Sequence, residues 1–198
     1  MAIDSRDMSK KIYSATFSSF CQEISRFRLS YLIRTFEVNV DKDLKVNDEH
    51  DSKNDWLVVV FAHSKYFRLT IKIHYNDEAA QIFAQNCRGP DTPTLGITAI
   101  NDFMREYGNQ LIGAVKQSIE DQSGYAQVSC PLVTRGQDAK FFSPIPTASA
   151  FEEHWQLSAL NQKIQCSIVL EFLDRNFMKE IFLPAFFDKD AIGDVEFF

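Results

Sequence analysis

The chain of 198 residues is long enough for one domain of ordinary size and too short for two full catalytic domains. Hydrophobic residues make up 45% and charged residues 24%, with only 7 Gly and 6 Pro, so collagenous and broadly disordered classes are excluded and a real core is expected. The net charge of −6 repels a phosphate backbone, which argues against nucleic acid as a partner.

The amino terminus and the cysteines favour a cytoplasmic protein. Residues 1–11 contain no apolar signal-peptide segment, and no stretch approaches 18 consecutive apolar residues, so neither export nor membrane spanning is predicted. The four cysteines form no C-x-x-C pair, which suits a reducing compartment and small core residues: Cys21, Cys87, Cys130 and Cys166. The four histidines lack metal-binding spacing, so we expect no metal site or cofactor of the chain's own.

Hydrophobic periodicity predicts the elements of the first half of the chain. Steps of three to five between apolar residues indicate an amphipathic helix, and strict alternation indicates strands with one buried face. In chain order we predict a helix over 8–27, a strand over 31–40, a polar loop over 41–55, a hairpin of 56–62 with 67–75, and a short helix from Asn76 to about Cys87.

The second half follows a break in the chain over 88–93, where Gly and Pro end the short helix. The same criteria predict a long helix over 98–120, strands of mixed quality over 126–144, a second hairpin of 155–160 with 163–173, and a last short helix near 176–183.

The hairpin and the helix after it occur twice. A shift of 99 residues without a gap superimposes Trp56 on Trp155 and brings the pair Ile82 and Phe83 onto Ile181 and Phe182. We therefore predict one α/β (α+β) domain over 1–198, made of duplicated halves at roughly 8–87 and 98–183 with a tail over 184–198. A pseudo-twofold axis would relate the halves, with a mostly antiparallel central sheet flanked by helices.

The long helix has a buried and an exposed side. At 100° per residue one arc of about 120° collects the apolar residues and predicts the face toward the core: Ile100, Phe103, Met104, Tyr107, Leu111, Ala114, Val115, Ser118 and Ile119. Asp102, Glu106 and Asn109 fall on nearly the opposite side, within about 60° of each other. Such a polar triplet is most often only the solvated face of a surface helix.

The spacing of this triplet resembles the signature of the CheC/CheX/FliY family of chemotaxis phosphatases. That signature is Asp or Ser, three residues, Glu, two residues, Asn, and then a Pro 23 positions beyond the Asn. Asp102, Glu106 and Asn109 match it in full, and Gly113 matches a frequent family Gly. Pro131 lies 22 positions beyond the Asn, one residue short, and Gly136 follows it at the family's distance.

The resemblance implies an enzyme that hydrolyses the aspartyl phosphate of a response-regulator receiver domain such as CheY. It implies that Asn109 positions the attacking water, that Glu106 pairs with an active-site Lys of the partner, and that Asp102 lies at the edge of that contact. The Mg²⁺ would belong to the receiver domain, and a homodimer is expected because family members can dimerise. An alternative is a non-catalytic binding or scaffolding module of the same fold, and a weaker one is a flagellar switch component.

The predicted first helix contains an incomplete version of the same pattern. Ser19 and Glu23 are at the matching spacing, but Arg26 occupies the position of the Asn. CheX-like members of the family have one intact motif in the second half, whereas CheC-like members have two, so the chain is more similar to CheX. Gly108, inside the intact motif, costs the helix about 1 kcal/mol relative to Ala, and we expect it either to loosen the site or to admit the partner's backbone.

Overall fold

A computed structural model describes residues 5–41, 55–89, 94–123, 126–142 and 150–173. These residues form three α-helices, one 3₁₀ helix and seven strands. In chain order the elements are α1 (Ser5–Leu32), β1 (Asn39–Asp41), β2 (Trp56–His63), β3 (Phe67–Tyr75), α2 (Asp77–Arg88), α3 (Ile97–Ser123), β4 (Gln127–Val128), β5 (Leu132–Arg135), the 3₁₀ helix (Gly136–Phe142), β6 (Ala150–Ala159) and β7 (Gln162–Phe172).

The strands form one antiparallel sheet, which confirms the predicted α/β fold class. Its order is β1-β6-β7-β3-β2-β4, and β5 also pairs with β2. Both predicted hairpins are present, β2 with β3 and β6 with β7. They join through the β3–β7 ladder, in which Ile71 pairs with Ile168. Alternate residues of these central strands are buried in one core with the inner faces of the helices.

Helices α2 and α3 begin and end close to the predicted positions, whereas α1 is longer at both ends than predicted. Asn76 is the N-cap of α2, and its Oδ1 accepts a hydrogen bond from the Ala79 N–H at 2.8 Å. Gly89 ends α2 with a positive φ of 106°, a conformation that glycine adopts without strain. Helix α3 buries the predicted apolar stripe from Ile100 to Val115.

A buried serine connects helix α1 to helix α3 and to the sheet. The Trp155 indole N–H donates to Ser25 Oγ at 2.7 Å, and the Tyr107 hydroxyl donates to the Ser25 carbonyl at 3.1 Å. Ser25 Oγ in turn donates to the Gln22 carbonyl at 2.7 Å. The three side chains Ser25, Tyr107 and Trp155 are fully buried, so these bonds satisfy polar groups that water does not reach.

One sequence prediction is wrong, and two others hold only in part. Residues 31–40 are not one strand: α1 continues to Leu32, and only 39–41 pair with β6. The chain turns between them at Arg34, which has a φ of 52°.

Cys21 and Cys166 are core residues as predicted, but Cys87 is half-buried and Cys130 is exposed. The strands predicted over 126–144 reduce to β4 and β5, followed by the 3₁₀ helix.

The 99-residue register between the two hairpins does not hold in the ladders. Adding 99 to both members of the Trp56–Tyr75 pair gives positions 155 and 174, whereas Trp155 pairs with Cys166. Trp56 is half-buried and donates its indole N–H to Asp77, whereas Trp155 is fully buried. The two tryptophans are therefore not equivalent, and the duplication itself stays a prediction. The predicted last helix and most of the polar loop lie outside the described residues.

Replacing Ser25 with Ala should lower the free energy of unfolding by about 1–3 kcal/mol, because the Trp155 indole N–H would be left buried without an acceptor. Urea denaturation of wild type and variant measures the difference. Ser19, exposed on the same helix, gives the matched variant Ser19→Ala, which should change stability by less than about 0.5 kcal/mol. Equal stability of the two variants would contradict the assigned role of Ser25.

Candidate functional site

Asp102, Glu106 and Asn109 lie together on the exposed side of α3, and we call these three residues the motif flank. All three are exposed, while Met104 and Tyr107 on the other side of the helix are fully buried. Within the part of the chain that the structure describes, no hydrogen-bond partner contacts the Asn109 amide. The flank therefore presents an acid and an amide, three residues apart, to solvent on one side of the helix.

The position of the motif flank is fixed from the inside of the helix. Tyr107 precedes Gly108 and Asn109 in the chain, and its bond to Ser25 attaches this turn of α3 to α1. A Cβ built on Gly108 would lie 3.0 Å from Cγ1 of Val58, so the helix backbone packs directly against β2. The two contacts fix the rotation of the helix about its own axis and its distance from the sheet. They therefore set the direction in which Asn109 projects.

Gly108 does not have the role expected from the sequence. The expectation was a loosened site or an approach of the partner's backbone, but Gly108 is buried against this chain's own Val58 and Ile73. Its small size lets helix and sheet approach closely, which offsets the lower helix propensity of glycine. Gly113, by contrast, is exposed, and among the described residues no atom outside the adjacent helix backbone lies within 4 Å of a Cβ built there.

Two neighbours that sequence reasoning missed bind the carboxylates of the motif flank. Arg105 Nη1 donates to Asp102 Oδ1 at 3.0 Å, and Gln110 Nε2 donates to Glu106 Oε1 at 2.9 Å. The spacings, three and four residues along a helix, are those at which side chains meet, so the sequence contained the signal. Both carboxylates are held in defined directions and remain exposed.

Pro131, the last part of the sequence signature, lies in a bulge at the edge of the sheet. Ala62 of β2 pairs with Val128, and Val59 of β2 pairs with Leu132. The edge strand therefore advances by four residues where β2 advances by three, which defines a β-bulge. Ser129 bridges the interruption: its Oγ accepts from the Phe61 N–H at 3.0 Å and its N–H donates to the Phe61 carbonyl at 2.9 Å. Proline has no backbone N–H to donate to a sheet ladder, so Pro131 is compatible with a bulge.

The incomplete motif on α1 also lies at the surface. Ser19 and Glu23 are exposed, and Arg26 Nε donates to Glu23 Oε2 at 2.9 Å. The residue at the position of the motif's Asn is thus a cation that pairs with the motif's own acid. At these described positions of α1, Arg26 compensates the charge of Glu23 where the motif flank has an amide beside an acid.

Two buried tyrosines, Tyr107 on the inner side of α3 and Tyr75 on β3, have raised pKa values. Burial raises the pKa of Tyr107 well above its usual range, and its buried hydroxyl is a hydrogen-bond donor to Ser25. Burial also raises the pKa of Tyr75, with the nearby charge of Arg105 opposing the shift and that of Asp77 adding to it. The Tyr75 hydroxyl donates to Asn101 Oδ1 at 3.3 Å on α3. The tyrosines therefore support the helix as neutral hydrogen-bond donors.

The described residues contain neither a metal-binding cluster nor a membrane-spanning helix. In that part of the chain no cluster of three or more His, Cys, Asp or Glu side chains has the geometry to hold a metal ion. Among the same residues, no helix is both long and apolar enough to cross a membrane.

Solved structures with the same fold include CheX and FliY proteins. CheX from Vibrio vulnificus is 16% identical with a TM-score of 0.56, over 78% of this chain and 96% of that one. CheX in the CheX–CheY–BeF₃–Mg²⁺ complex from Borrelia burgdorferi is 14% identical with a TM-score of 0.59, over 80% and 97%. FliY from Thermotoga maritima is 14% identical with a TM-score of 0.50, over 94% and 98%. The chain has the fold of these proteins, as the sequence resemblance predicts.

The likeness to these proteins lies in the structure and in a short motif, not in overall sequence similarity. No family model matches the chain, and no curated protein sequence matches it significantly. At identities of 14–16% the structural likeness shows the fold alone, and the evidence on the site comes from this chain's own residues.

Replacing Gly108 with Val should destabilise the protein by about 1–3 kcal/mol, because the new side chain overlaps Val58 on β2. Gly113→Val is the matched control on the same helix, where the space is open and Val has the better helix propensity, so it should be neutral or slightly stabilising. Thermal unfolding measures both. If Gly108→Val unfolds at the same temperature as Gly113→Val, the close contact of α3 with β2 is not a constraint.

Proposed function

We propose that this chain is a CheX-like phosphatase, which hydrolyses the aspartyl phosphate of a response-regulator receiver domain. The observation that carries the proposal is the exposed Asn109 amide beside the exposed Glu106 carboxylate on a helix held by its buried side. The shared fold with CheX, including a CheX in complex with CheY, supports the choice of partner.

The chemistry needs a positioned water more than an activated one. An acyl phosphate is already reactive, and the Mg²⁺ that accompanies the receiver domain neutralises charge on the phosphoryl oxygens. The water oxygen forms a bond to phosphorus in line as the bond from phosphorus to the aspartyl oxygen breaks, which gives inorganic phosphate and a free aspartate. Asn109 has one acceptor and one donor atom on a short side chain, so it can orient that water without adding charge.

Glu106 is the docking residue in this proposal. A carboxylate one turn from Asn109 can pair with the Lys of a receiver active site and fix the distance between Asn109 and the phosphoryl group. Gln110 already holds the Glu106 carboxylate, which limits the conformations lost on docking. Asp102 lies at the edge of the same contact, where its carboxylate is paired with Arg105.

A non-catalytic binding module remains the second candidate, because the same exposed flank can dock a receiver domain without hydrolysis. A homodimer also stays a prediction. The two functions differ in one observable, the release of phosphate, so they are separated by measuring hydrolysis and binding on the same variants.

Asn109→Ala should reduce hydrolysis of a phosphorylated receiver domain by about 100-fold or more, to the spontaneous rate, because the water loses its orienting amide. Its affinity for the receiver should stay nearly unchanged. Glu106→Ala should instead weaken docking by about tenfold or more through loss of a charged contact. The measurements are phosphate release from a panel of acyl-phosphorylated receiver domains, and binding to the same domains by calorimetry.

Gln117→Ala is the control, since Gln117 is another exposed amide on α3, about two turns beyond Asn109. It should leave hydrolysis and binding at the wild-type level. Binding of a receiver by wild type with no phosphate release would support the binding module and reject the enzyme. Equal hydrolysis by wild type and Asn109→Ala would reject the assigned mechanism.

A further inference from the structure

Arg105 is the cation closest in sequence to the residues of the motif flank. At 100° per residue it lies about 40° to one side of Asn109, while Glu106 lies about 60° to the other side. Its guanidinium is bound to the Asp102 carboxylate, and the two side chains are 43% and 61% exposed. The positive charge of Arg105 also opposes the rise in the pKa of Tyr75 on β3. Arg105 therefore acts on groups of both the helix and the sheet.

The charge of this surface matters because the proposed partner is anionic at the point of contact. An aspartyl phosphate and the carboxylates around its Mg²⁺ repel an acidic surface, and this chain has a net charge of −6. Asp102 and Glu106 are four residues apart on one side of a helix, an arrangement in which like charges repel each other as well. Without Arg105 the motif flank would present two carboxylates to the phosphoryl group.

With Arg105 paired to Asp102, Glu106 is the single uncompensated charge on the motif flank, and the receiver's Lys is its proposed partner. An exposed ion pair contributes little to stability, so the pair is poorly explained as a structural element. Its electrostatic effect on an approaching charged partner is larger, since charges at the rim of an interface act chiefly on the association rate.

We propose that Arg105 is a specificity-determining residue that neutralises Asp102 and thereby admits an anionic phosphorylated receiver domain to Asn109. This inference rests on the proposed function. Arg105 acts on association and leaves the hydrolytic step to Asn109, so its loss changes KM and the association rate but not kcat.

The test measures association of the full chain with a receiver domain loaded with Mg²⁺ and beryllium trifluoride, by stopped-flow at 50 and 300 mM salt, beside kcat and KM for hydrolysis. Arg105→Ala should slow association and raise KM by about tenfold at 50 mM salt, with kcat within about twofold. The deficit should shrink at 300 mM salt. Arg105→Lys should retain most of the wild-type rate, because it keeps the charge.

The double variant Arg105→Ala with Asp102→Asn separates charge compensation from direct contact. Removing the carboxylate that Arg105 neutralises should recover most of the lost association rate. Lys163→Ala is the charge-matched control, since it removes one exposed cation from β7, away from α3, and should leave association within about twofold. All variants should melt within about 2 °C of wild type, as expected for exposed side chains.

Three results would overturn the inference while leaving the proposed function intact, and two of them concern the single variant: wild-type kinetics for Arg105→Ala, or a fall in its kcat at unchanged KM. Failure of the double variant to recover would also overturn it, because Arg105 would then act by contact with the partner. If wild type associates with no receiver domain and hydrolyses none, the proposed function fails and the inference fails with it. If wild type associates without hydrolysis, the association measurements still decide the role of Arg105.

Discussion

The approach of the α3 backbone to Val58 is the constraint on which the motif flank depends. Gly108 allows this approach because it has no side chain. Its two neighbours in the chain face opposite ways because residues two apart in a helix are rotated by about 200°. Tyr107 is buried and bound to α1, whereas Asn109 is in solvent. A helix that presents polar groups to a partner needs its other side held against rotation, and Tyr107 and Gly108 hold it from two elements. The flank is therefore rigid although it is fully at the surface.

The fold could be predicted where burial repeats with a regular period. The helices and both hairpins have that period, so hydrophobic periodicity located these elements, although α1 ends later and β6 begins earlier than predicted. Residues 31–40 were misassigned because aromatic and β-branched residues favour strands only when the chain pairs there. Leu29 and Ile33, four residues apart, are both buried in the core, and this tertiary contact extends the helix beyond what local preference indicates. The edge strands are short and mostly exposed, so they have little periodicity to detect.

The site was partly visible in the sequence. Helical spacing alone places Asp102, Glu106 and Asn109 on one exposed side, and the structure agrees. The role of Gly108 was not visible, because its cost is local whereas its compensation comes from a strand fifty residues away in the chain. The two tryptophans misled for a related reason. Their matching positions in the sequence say nothing of the ladder register. Trp155 is fully buried in the core, whereas Trp56 is half-buried and packs against it.

The ion pair of Arg26 with Glu23 on α1 has a consequence for stoichiometry. Its guanidinium occupies the position of the motif's amide and compensates the neighbouring acid, so α1 lacks the combination of groups that the motif flank displays. Under the proposed function, the described residues of each chain then provide one site for a phosphorylated partner. Titration would saturate at one receiver per chain, and any cooperativity between receivers would require an assembly of several chains.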